Sequence, residues 1–484
     1  MAAPPEAGGP VSDREADIAF ACLSGLSRIA LAVSGGPDSM AMLHLVARWR
    51  DRTPDAPDCL VLTLDHGLRP EARAETRMVE RAAARHGLTC RVLHWEGEKP
   101  RSGLQAAARG ARQRLLGAAC LEARAEALVL AHHFDDQAET VLMRLRRGSG
   151  IFGLAGMRRE SAWPRQDARP LTVLRPLLDF GKARLEATCQ AADLAFARDP
   201  SNSDPTYARV RLRAELPELA GLGLTAQRLC DLARDCANAA DTIDAEVERR
   251  LAAHGTCHPA GLFTLDLEAF EAASALLRER LVVRVLAAFG TGGYVPRRDR
   301  LARFLDRLGL AGAGRGGDAE RAQATLSGVV ARRDGARLLV WREAGRGGIG
   351  SRMLNGPCEI LWDGRFVVRV EDAVSVEVVA RGELAARIDG QGAAGQAASG
   401  QAARDRLAEE DRRRPKGFPR AALAACPCLV PLWKEAGDAS YCPGLSTGPA
   451  PAKVSIRPLL PWSGGQAAEL SGISLGKTPE SVET

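Results

Sequence analysis

Short apolar runs alternate with longer helical segments through the first third of the chain. The apolar runs, each typical of a buried strand, are residues 28–33, 59–64, 90–95 and 127–131. The intervening segments, each with helical periodicity, are residues 38–50, 70–86 and 104–125. Strands that alternate with helices predict parallel β-α-β units. We therefore expect an α/β fold with a parallel, Rossmann-like sheet between two layers of helices. In such sheets ligands bind at the carboxyl ends of the strands.

The pattern changes twice beyond this region. A mainly helical stretch follows, and it ends in a predicted hairpin that turns at Asp334-Gly335. A β-rich stretch comes next, with a second predicted hairpin that turns at Asp363-Gly364. The expected organisation is a disordered tail (1–15), an α/β domain (16–215), a helical domain (216–350), a β-rich region (351–462) with a low-complexity insertion (390–400), and a flexible tail (463–484).

Composition excludes several classes of protein. No run approaches the ~18 apolar residues of a membrane span, and the first 17 residues lack the apolar segment of a signal peptide. The 12 cysteines show no disulfide-framework spacing, which favours a reducing compartment. We therefore expect a cytoplasmic protein with no membrane partner. The net charge of +6 says little about nucleic acid, because the 60 arginines against six lysines fit a codon-composition bias.

A glycine-rich loop joins the first predicted strand to the first predicted helix. Its residues are Ser34, Gly35, Gly36, Pro37, Asp38 and Ser39. Two glycines allow a tight turn that aims backbone N–H groups at an anion, and the helix N-terminus favours negative charge. The Gly-Lys-Ser/Thr of a Walker A loop is absent. The carboxylate of Asp38 instead suggests a divalent cation that bridges phosphate oxygens. The alternative is an ordinary Gly-Pro turn in which Asp38 caps the helix.

A second candidate site follows the fourth predicted strand, where the sequence is HHFDDQAET. Asp136 and Glu139 are three residues apart and Asp135 and Glu139 four apart, so both pairs share a helix face. Carboxylates at a strand end near a phosphate loop can bind Mg²⁺ or an ammonium group, and the adjacent His133 can orient groups or exchange protons. The alternative is structural: Asp135 caps the helix, and Glu139 pairs with Arg144 or is solvated.

These motifs together resemble one family. The loop is similar to the pyrophosphate-binding loop of the ATP pyrophosphatases, or PP-loop proteins. The run LAHHFDDQAETVLMRLRRGSGIFGLAGM at residues 130–157 resembles the signature of the tRNA(Ile)-lysidine synthetases within that group. Further motifs in the same order as in the family are DHGLR (65–69), AARxxR (107–112), RPLL (175–178) and DPSN (199–202). The resemblance covers about the first 215 residues, and it is weaker in the C-terminal hairpins.

The resemblance implies an activity. A PP-loop domain would cleave ATP to AMP and diphosphate, with Mg²⁺ as a cofactor. L-lysine would be ligated to the first anticodon cytidine of an isoleucine tRNA that carries a CAU anticodon, through an adenylated base. The product, lysidine, would allow AUA to be decoded as isoleucine. The helical domain would bind the tRNA, and a homodimer is an open possibility.

The resemblance also implies roles for individual residues. ATP would be bound by the loop at residues 34–39, with Asp38 and Asp136 near the Mg²⁺. The implied catalytic residues are Asp38, Arg112, His133, Asp136 and Glu139. The implied tRNA-binding residues are Arg146, Arg147, Arg209, Arg211 and Arg213, and Gly148, Ser149 and Gly150 would form a floor near the anticodon. For the last three arginines, the alternative is a solvated strand or helix face. The chain departs from the family's pattern at Gln113, where tyrosine is usual, and at Val210, where asparagine is usual.

Two other functions fit part of the pattern. A tRNA thiolase would share the loop but needs a cysteine pair such as C-x-x-C, which the sequence lacks. The closest cysteine cluster is Cys426, Cys428 and Cys442. A non-catalytic tRNA-binding protein would have no need for the carboxylates of Asp38, Asp136 and Glu139. The ligase is therefore the favoured interpretation.

Overall fold

The computed structural model divides the chain into two compact units, Met1–Asp241 and Thr242–Thr484, which we describe separately. The residues that the structure describes are 8–67, 72–97, 99–100, 102–163, 171–198, 208–258, 260–290, 296–311, 322–345, 348–371, 375–390, 407–408, 419–431 and 454–458. Several predicted features lie wholly or partly outside these residues: the first seven residues of the N-terminal tail, the last two of DHGLR, the DPSN motif, the low-complexity insertion beyond its first residue, Cys442 and the C-terminal tail.

The described residues of the first unit form one six-stranded sheet with helices around it. Its strands are β1 (Arg28–Ala32), β2 (Asp58–Asp65), β3 (Thr89–His94), β4 (Ala127–Leu130), β5 (Glu160–Ala162) and β6 (Thr172–Leu174). Its helices are α1 (Asp13–Phe20), α2 (Pro37–Arg52), α3 (Ala72–Arg85), α4 (Leu104–Glu122), α5 (Phe134–Arg146), α6 (Ile151–Leu154), α7 (Lys182–Ala191) and α8 (Ala208–Gly221). The boundary between the two units falls within α9 (Ala226–His254).

The sheet has the strand order β3-β2-β1-β4-β6-β5. The first five strands in this order run parallel, and β5 pairs antiparallel with β6. The predicted strands are β1 to β4, and the predicted helices are α2 to α4. The α/β fold with a parallel sheet is therefore confirmed. The sequence pattern did not predict β5 and β6, which have three residues each and are too short to show a periodicity.

Helices cover both faces of the sheet. Along β1, Ile29 and Leu31 pack into a core with residues of α2 and α7. The alternate residues Ala30 and Ala32 pack against α4 on the opposite face. All four residues of β4 are buried. Strands that are buried on both faces show continuous apolar runs, and this explains why the strands could be recognised in the sequence.

Regular structure begins closer to the N-terminus than we expected. Ser12 and Glu15 form a capping box at the start of α1, within the stretch predicted as a disordered tail. Arg184 of α7, which is buried, donates from Nη1 and Nη2 to the two carboxylate oxygens of Glu15, each at 2.8 Å. It also donates to the carbonyl oxygens of Gly9 and Pro10. The tail prediction is therefore wrong for residues 9–15, because composition does not reveal a partner 169 residues away.

We expect Glu15→Gln to destabilise the first unit in a pH-dependent way. The hydrogen bond from Arg184 is the main reason that the pKa of Glu15 is lowered from 4.5 to about 2. Since this pKa lies below the ordinary value, the carboxylate stabilises the fold above pH 4.5, and this stabilisation is lost as the pH falls towards 2. Because Glu15 is partly exposed, the expected loss at pH 7 is about 1–2 kcal/mol.

Denaturant unfolding of wild type and Glu15→Gln at pH 7, 4 and 3 measures this difference. The control is Glu122→Gln, which removes an exposed ion pair with Arg91 and should cost less than about 0.5 kcal/mol. A loss in the Glu15 variant that stays constant from pH 7 to pH 3 would contradict the assignment.

The described residues of the second unit form three antiparallel sheets. Its strands are β7 (Gly255–Cys257), β8 (Phe263–Asp266), β9 (Gln323–Leu326), β10 (Val329–Asp334), β11 (Arg337–Arg342), β12 (Arg352–Asn355), β13 (Cys358–Trp362), β14 (Phe366–Val370), β15 (Ser375–Ala380), β16 (Pro427–Pro431) and β17 (Val454–Pro458). Its helices are α10 (Leu267–Glu271), α11 (Ala275–Phe289), α12 (Arg298–Arg307), α13 (Arg381–Gly390) and α14 (Arg420–Leu423). The strand orders are β7-β8-β11-β10-β9, β12-β15-β16 and β13-β14-β17.

Both predicted hairpins are present. Asp334 pairs with Arg337 where β10 turns into β11, and Trp362 pairs with Phe366 where β13 turns into β14. The helices and antiparallel sheets of this unit confirm the predicted helical and β-rich character. The division into three domains, with boundaries at 215 and 350, stays a prediction. Among the helices that the structure describes, none is long and apolar enough to cross a membrane.

Candidate active site

The glycine-rich loop lies between the carboxyl end of β1 and the start of α2. The Ser34 N–H donates to the Ser39 hydroxyl at 3.1 Å, and that hydroxyl donates to the Gly36 carbonyl at 3.0 Å. Ser39 is buried, whereas Ser34 is exposed. Within the described part of the chain, the N–H groups of Gly35, Gly36 and Asp38 donate no hydrogen bond. Three donors at a helix N-terminus are therefore available to an anion.

Gly35 gives the loop its turn. Its φ is +87°, a conformation that residues with a side chain rarely adopt. A Cβ at this position would lie 3.3 Å from the Met78 Cε. The Gly35 carbonyl accepts a hydrogen bond from the Ala197 N–H at 2.8 Å, which fixes the peptide plane. The backbone conformation therefore favours glycine here, and a side chain would in addition require the flexible end of Met78 to shift by a few tenths of an ångström.

We expect Gly35→Ala to weaken ATP use about tenfold or more and to cost about 1–2 kcal/mol of stability, because alanine strains the left-handed backbone and turns the N–H groups. The matched control is Gly25→Ala, since Gly25 has a φ of +82° but lies outside the loop, with open space around it. The control should lose similar stability and keep its ATP affinity. Nucleotide titration and thermal unfolding measure both effects, and equal ATP affinities in the two variants would refute a role for the loop.

The acidic segment meets this loop through His133. This residue precedes α5 at the end of β4, which is the strand next to β1. The His133 Nε2 lies 3.6 Å from the Asp38 Oδ2 and 3.5 Å from the Asp136 Oδ2. The His133 Nδ1 lies 3.4 Å from the Asp135 Oδ2. Only 3% of the His133 side chain is exposed. The structure therefore brings Asp38, His133 and Asp136 together, as the strand order requires.

Burial and charge act against each other in this cluster. Burial lowers the pKa of His133, but the carboxylates of Asp135, Asp136 and Asp38 outweigh it and raise the pKa above its ordinary value. Burial also raises the pKa of Asp38, in spite of the opposing charges of His133 and Lys182. The imidazolium therefore compensates a group of carboxylates that remains electronegative.

Asp135 has a different surrounding from Asp38. Burial alone would raise its pKa, but hydrogen bonds from His133 and from the Lys182 N–H lower it. The Lys182 N–H donates to the Asp135 Oδ2 at 2.8 Å at the first turn of α7. Asp135 thus fastens α5 to α7. It does not cap its own helix, as the structural alternative had it, because the N-cap of α5 is His133. Lys182 itself was missed in the sequence. Its signals were its place shortly after RPLL and the rarity of lysine in this chain.

Glu139 forms a buried ion pair on the next turn of α5. The Arg213 Nε, on α8, donates to the Glu139 Oε1 at 2.7 Å. The exposed fraction is 1% for the Glu139 side chain and 42% for that of Arg213. Arg144, the partner that the structural alternative named, instead donates to the carbonyl oxygens of Gly153 and Gly156. Arg213 therefore belongs to the acidic site in this structure.

Comparison with known proteins bears on the identity of this site. The PP-loop domain family matches residues 12–219. A tRNA(Ile)-lysidine synthase of Bradyrhizobium sp. (strain BTAi1) is 47% identical over 335 residues, which are 66% of this chain and 91% of that protein. The chain belongs to the tRNA(Ile)-lysidine synthase family. The synthase of Rhodopseudomonas palustris is 44% identical over 68% of this chain and 94% of its own length. That of Ruegeria pomeroyi is 36% identical over 83% of this chain and 86% of its own length.

The run at residues 130–157, which resembles the signature of this family, continues past α5 into a loop. The side chains of Gln137 and Arg144 hold this loop in place. The Gln137 amide donates to the Met157 carbonyl at 2.9 Å and accepts from the Met157 N–H at 2.7 Å. Arg144, about two turns further along α5, donates to two backbone carbonyl oxygens of the same loop. The predicted floor at Gly148, Ser149 and Gly150 precedes this supported stretch. The motif therefore serves partly to fix a loop beside the acidic cluster.

The remaining predicted arginines lie outside the cluster. Arg112 is exposed on α4, and among the described residues no hydrogen bond or ion pair joins it to the loop or the carboxylates. Arg146 is exposed and lies 3.5 Å from Glu215, and Arg147 is exposed at the end of α5. Arg211 is exposed on α8. The side chain of Arg209 lies outside the described residues.

The chemistry of the donors fits a cation that also binds phosphate. Within the described part of the chain, no group of three or more His, Cys, Asp or Glu side chains can hold a metal ion by itself. Mg²⁺, however, is commonly held by one or two carboxylates and takes its other ligands from water and phosphate. The Asp38 Oδ1 is buried and has no hydrogen-bond partner among the described residues. Asp38 therefore leaves an acceptor oxygen for such a cation, and Asp136, the other predicted ligand, lies beside the same imidazole.

Proposed function

We propose that this chain ligates L-lysine to the first anticodon cytidine of an isoleucine tRNA with a CAU anticodon, with ATP cleaved to AMP and diphosphate. Family membership supports the reaction. The observation that carries it for this chain is the meeting of the phosphate loop with the acidic segment: the His133 Nε2 lies 3.6 Å from a carboxylate oxygen of Asp38 and 3.5 Å from one of Asp136. Phosphate transfer and amine capture can therefore occur at one place.

The first step activates the base. The cytosine carbonyl oxygen attacks the α-phosphate of ATP, and the bond between the α-phosphate and the diphosphate breaks. The N–H groups of Gly35, Gly36 and Asp38 would bind phosphate oxygens and stabilise the charge that develops on the leaving diphosphate. The ammonium of Lys182, whose charge acts on Asp38, would add a cation on the α7 side. A carbonyl oxygen is a poor leaving group until it carries this phosphoryl group.

The second step forms the new bond to nitrogen. The ε-amine of lysine attacks the cytosine carbon, and AMP departs with the former carbonyl oxygen and its electron pair. The carboxylates of Asp136 and Glu139 would attract the cationic amino acid, and an amine must lose a proton before it attacks. The His133 imidazolium, whose two nitrogens face three carboxylates, would orient these carboxylates, and the proton that the amine loses would pass to a carboxylate of the cluster or to solvent.

Mg²⁺ is the cofactor that we propose beside ATP, held by Asp38 and Asp136. When bound, it neutralises phosphate charge. The proposed RNA contacts are the exposed side chains of Arg146, Arg147 and Arg211, together with Arg209. A tRNA substrate would place the protein in the cytoplasm. Whether the chain forms a homodimer stays open.

The test is incorporation of labelled lysine into tRNA. Purified chain is mixed with ATP, Mg²⁺, labelled lysine and a transcript of isoleucine tRNA with the CAU anticodon. We expect label in the tRNA and one diphosphate released per lysine. The matched control is the same transcript with U in place of the first anticodon C, which should accept no lysine. Absence of label with the CAU transcript would overturn the proposal, and equal labelling of methionine tRNA would remove its specificity.

A further inference from the structure

Two histidine side chains meet between α2 and the end of α3. His44 lies in α2, about two turns after the helix begins at Pro37, and His86 directly follows the last residue of α3. The His44 Nδ1 lies 3.3 Å from the His86 Nε2. The ring centres are 5.2 Å apart, and the ring planes are tilted by 54°. Both residues are partly exposed, so an ion in solution can reach them. The reaction proposed above uses neither ring.

The distances fit two ligands of one metal ion better than a straight hydrogen bond. Hydrogen bonds from nitrogen donors are usually about 2.7–3.2 Å long, and a straight bond at 3.3 Å would place the ring centres about 5.6 Å apart. The rings are instead inclined to the line that joins their nitrogens. Two imidazoles on one tetrahedral ion, with bonds of about 2.05 Å, have nitrogens about 3.3 Å apart and ring centres about 5.2 Å apart. The observed pair agrees with both values.

The protonation of the two rings also suits metal ligands. Burial lowers the pKa of His44 to about 4, and the neighbouring His86 contributes to this shift. Burial lowers the pKa of His86 as well. The charged groups that act on the two rings are balanced in sign: Asp13, Arg48, Asp51 and Arg85. Both imidazoles are therefore neutral at pH 7, which is the form that binds a metal ion.

We propose that His44 and His86 bind one divalent transition-metal ion, of which Zn²⁺ has the matching bond lengths, with water as the remaining ligands. Imidazole is a good ligand for Zn²⁺, whereas Mg²⁺ prefers oxygen, so the Mg²⁺ proposed at Asp38 would not compete. Among the described residues, no group of three His, Cys, Asp or Glu side chains can hold a metal ion, so the Zn²⁺ would be exchangeable.

The ion would link two helices that adjoin the phosphate loop. Helix α2 begins directly after Gly36, and Met78 of α3 lies beside Gly35. A ligand that binds only the folded chain stabilises it. Zn²⁺ should therefore stabilise the first unit, and this effect does not depend on the ligase reaction.

The experiment is a calorimetric titration of the full, untagged chain with Zn²⁺, after bound metal has been removed with a chelator and with Mg²⁺ in large excess. The test variant is H44Q/H86Q, and the control is H94Q/H254Q, which removes two exposed histidines. We expect wild type and control to bind one Zn²⁺ that the test variant binds about 100-fold more weakly, since even an outer-shell partner contributes about 10–100-fold to metal affinity. Zn²⁺ should raise the unfolding temperature of wild type and control but not of the test variant.

A measurement on wild type makes the outcome independent of how the variants fold. With isotope-labelled histidine, Zn²⁺ should shift the ring-nitrogen signals of His44 and His86 among the eight histidines. The single variants H44Q and H86Q identify these two signals, and thermal unfolding without metal checks that the variants are folded. Equal Zn²⁺ stoichiometry and affinity in wild type and H44Q/H86Q would overturn the inference, as would shifts confined to other histidines. The pair would then be only a hydrogen bond between α2 and the end of α3.

Discussion

Asp38→Asn is expected to lower tRNA-dependent diphosphate release by about 10³-fold. The substitution removes one of the two proposed Mg²⁺ ligands, a carboxylate beside three loop N–H groups that donate to no described residue. Preorganised charge at a phosphoryl-transfer site contributes several kcal/mol to the transition state, and asparagine cannot replace it. Because the amide has nearly the same shape, the loss should appear in the rate of adenylation and only slightly in ATP affinity.

The same variant is expected to be at least as stable as wild type. Burial raises the pKa of Asp38, and the nearby Asp136 adds to this effect. A carboxyl group whose pKa lies above its ordinary value destabilises the fold once it is ionised. Replacing it with a neutral amide should therefore leave the free energy of unfolding unchanged or raise it by up to about 1 kcal/mol without nucleotide.

Asp135→Asn provides the contrast, because Asp135 fastens α5 to α7 and its pKa is lowered. This variant should lose about 1–2 kcal/mol of stability and only about tenfold in adenylation. Denaturant unfolding and diphosphate release measure the two quantities on both proteins. If Asp38→Asn were the less stable variant and kept more than a tenth of the wild-type rate, Asp38 would be a structural cap and not a catalytic group.

Much of the first unit was predictable because its strands are buried on both faces. Ala127–Leu130 is apolar throughout and therefore recognisable without its neighbours. The strand order then brings the ends of β1 and β4 together, and Asp38 and His133 with them. The meeting of the two motifs thus follows from local pattern and from the rule that ligands bind at strand ends.

The partners of the carboxylates could not be predicted. Asp135 pairs with the backbone of a residue 47 positions later, and Glu139 with a side chain 74 positions later. No periodicity connects such positions, since their contact depends on how α7 and α8 return to the sheet. Arg209, Arg211 and Arg213, which are spaced by two residues, show the same limit of prediction from sequence. A helix places Arg211 and Arg213 on different faces, so only a three-dimensional structure shows which one reaches Glu139.

Arg213→Met is expected to show whether Arg213 acts through Glu139 or on the RNA. The change removes the guanidinium that donates to the buried Glu139 carboxylate. Breaking a buried ion pair by removing one partner costs several kcal/mol, and the partial exposure of Arg213 reduces this to about 2 kcal/mol. Without the Arg213 guanidinium, the buried Glu139 carboxylate is less stable as a charged group and is held less firmly, which weakens its charge at the site. We therefore expect the KM for lysine to rise tenfold or more while adenylation stays within a few fold of wild type.

A double-mutant cycle with Glu139→Gln tests the pairing directly. The double variant should be more stable than the sum of the two single losses predicts, with a coupling of about 1–2 kcal/mol, but its KM for lysine should stay high. Arg211→Met is the control, because it changes an exposed arginine of the same helix and should alter neither lysine KM nor stability by a comparable amount. If Arg213→Met instead raised the KM for tRNA and left that for lysine unchanged, Arg213 would act on the RNA, and its bond to Glu139 would be incidental to catalysis.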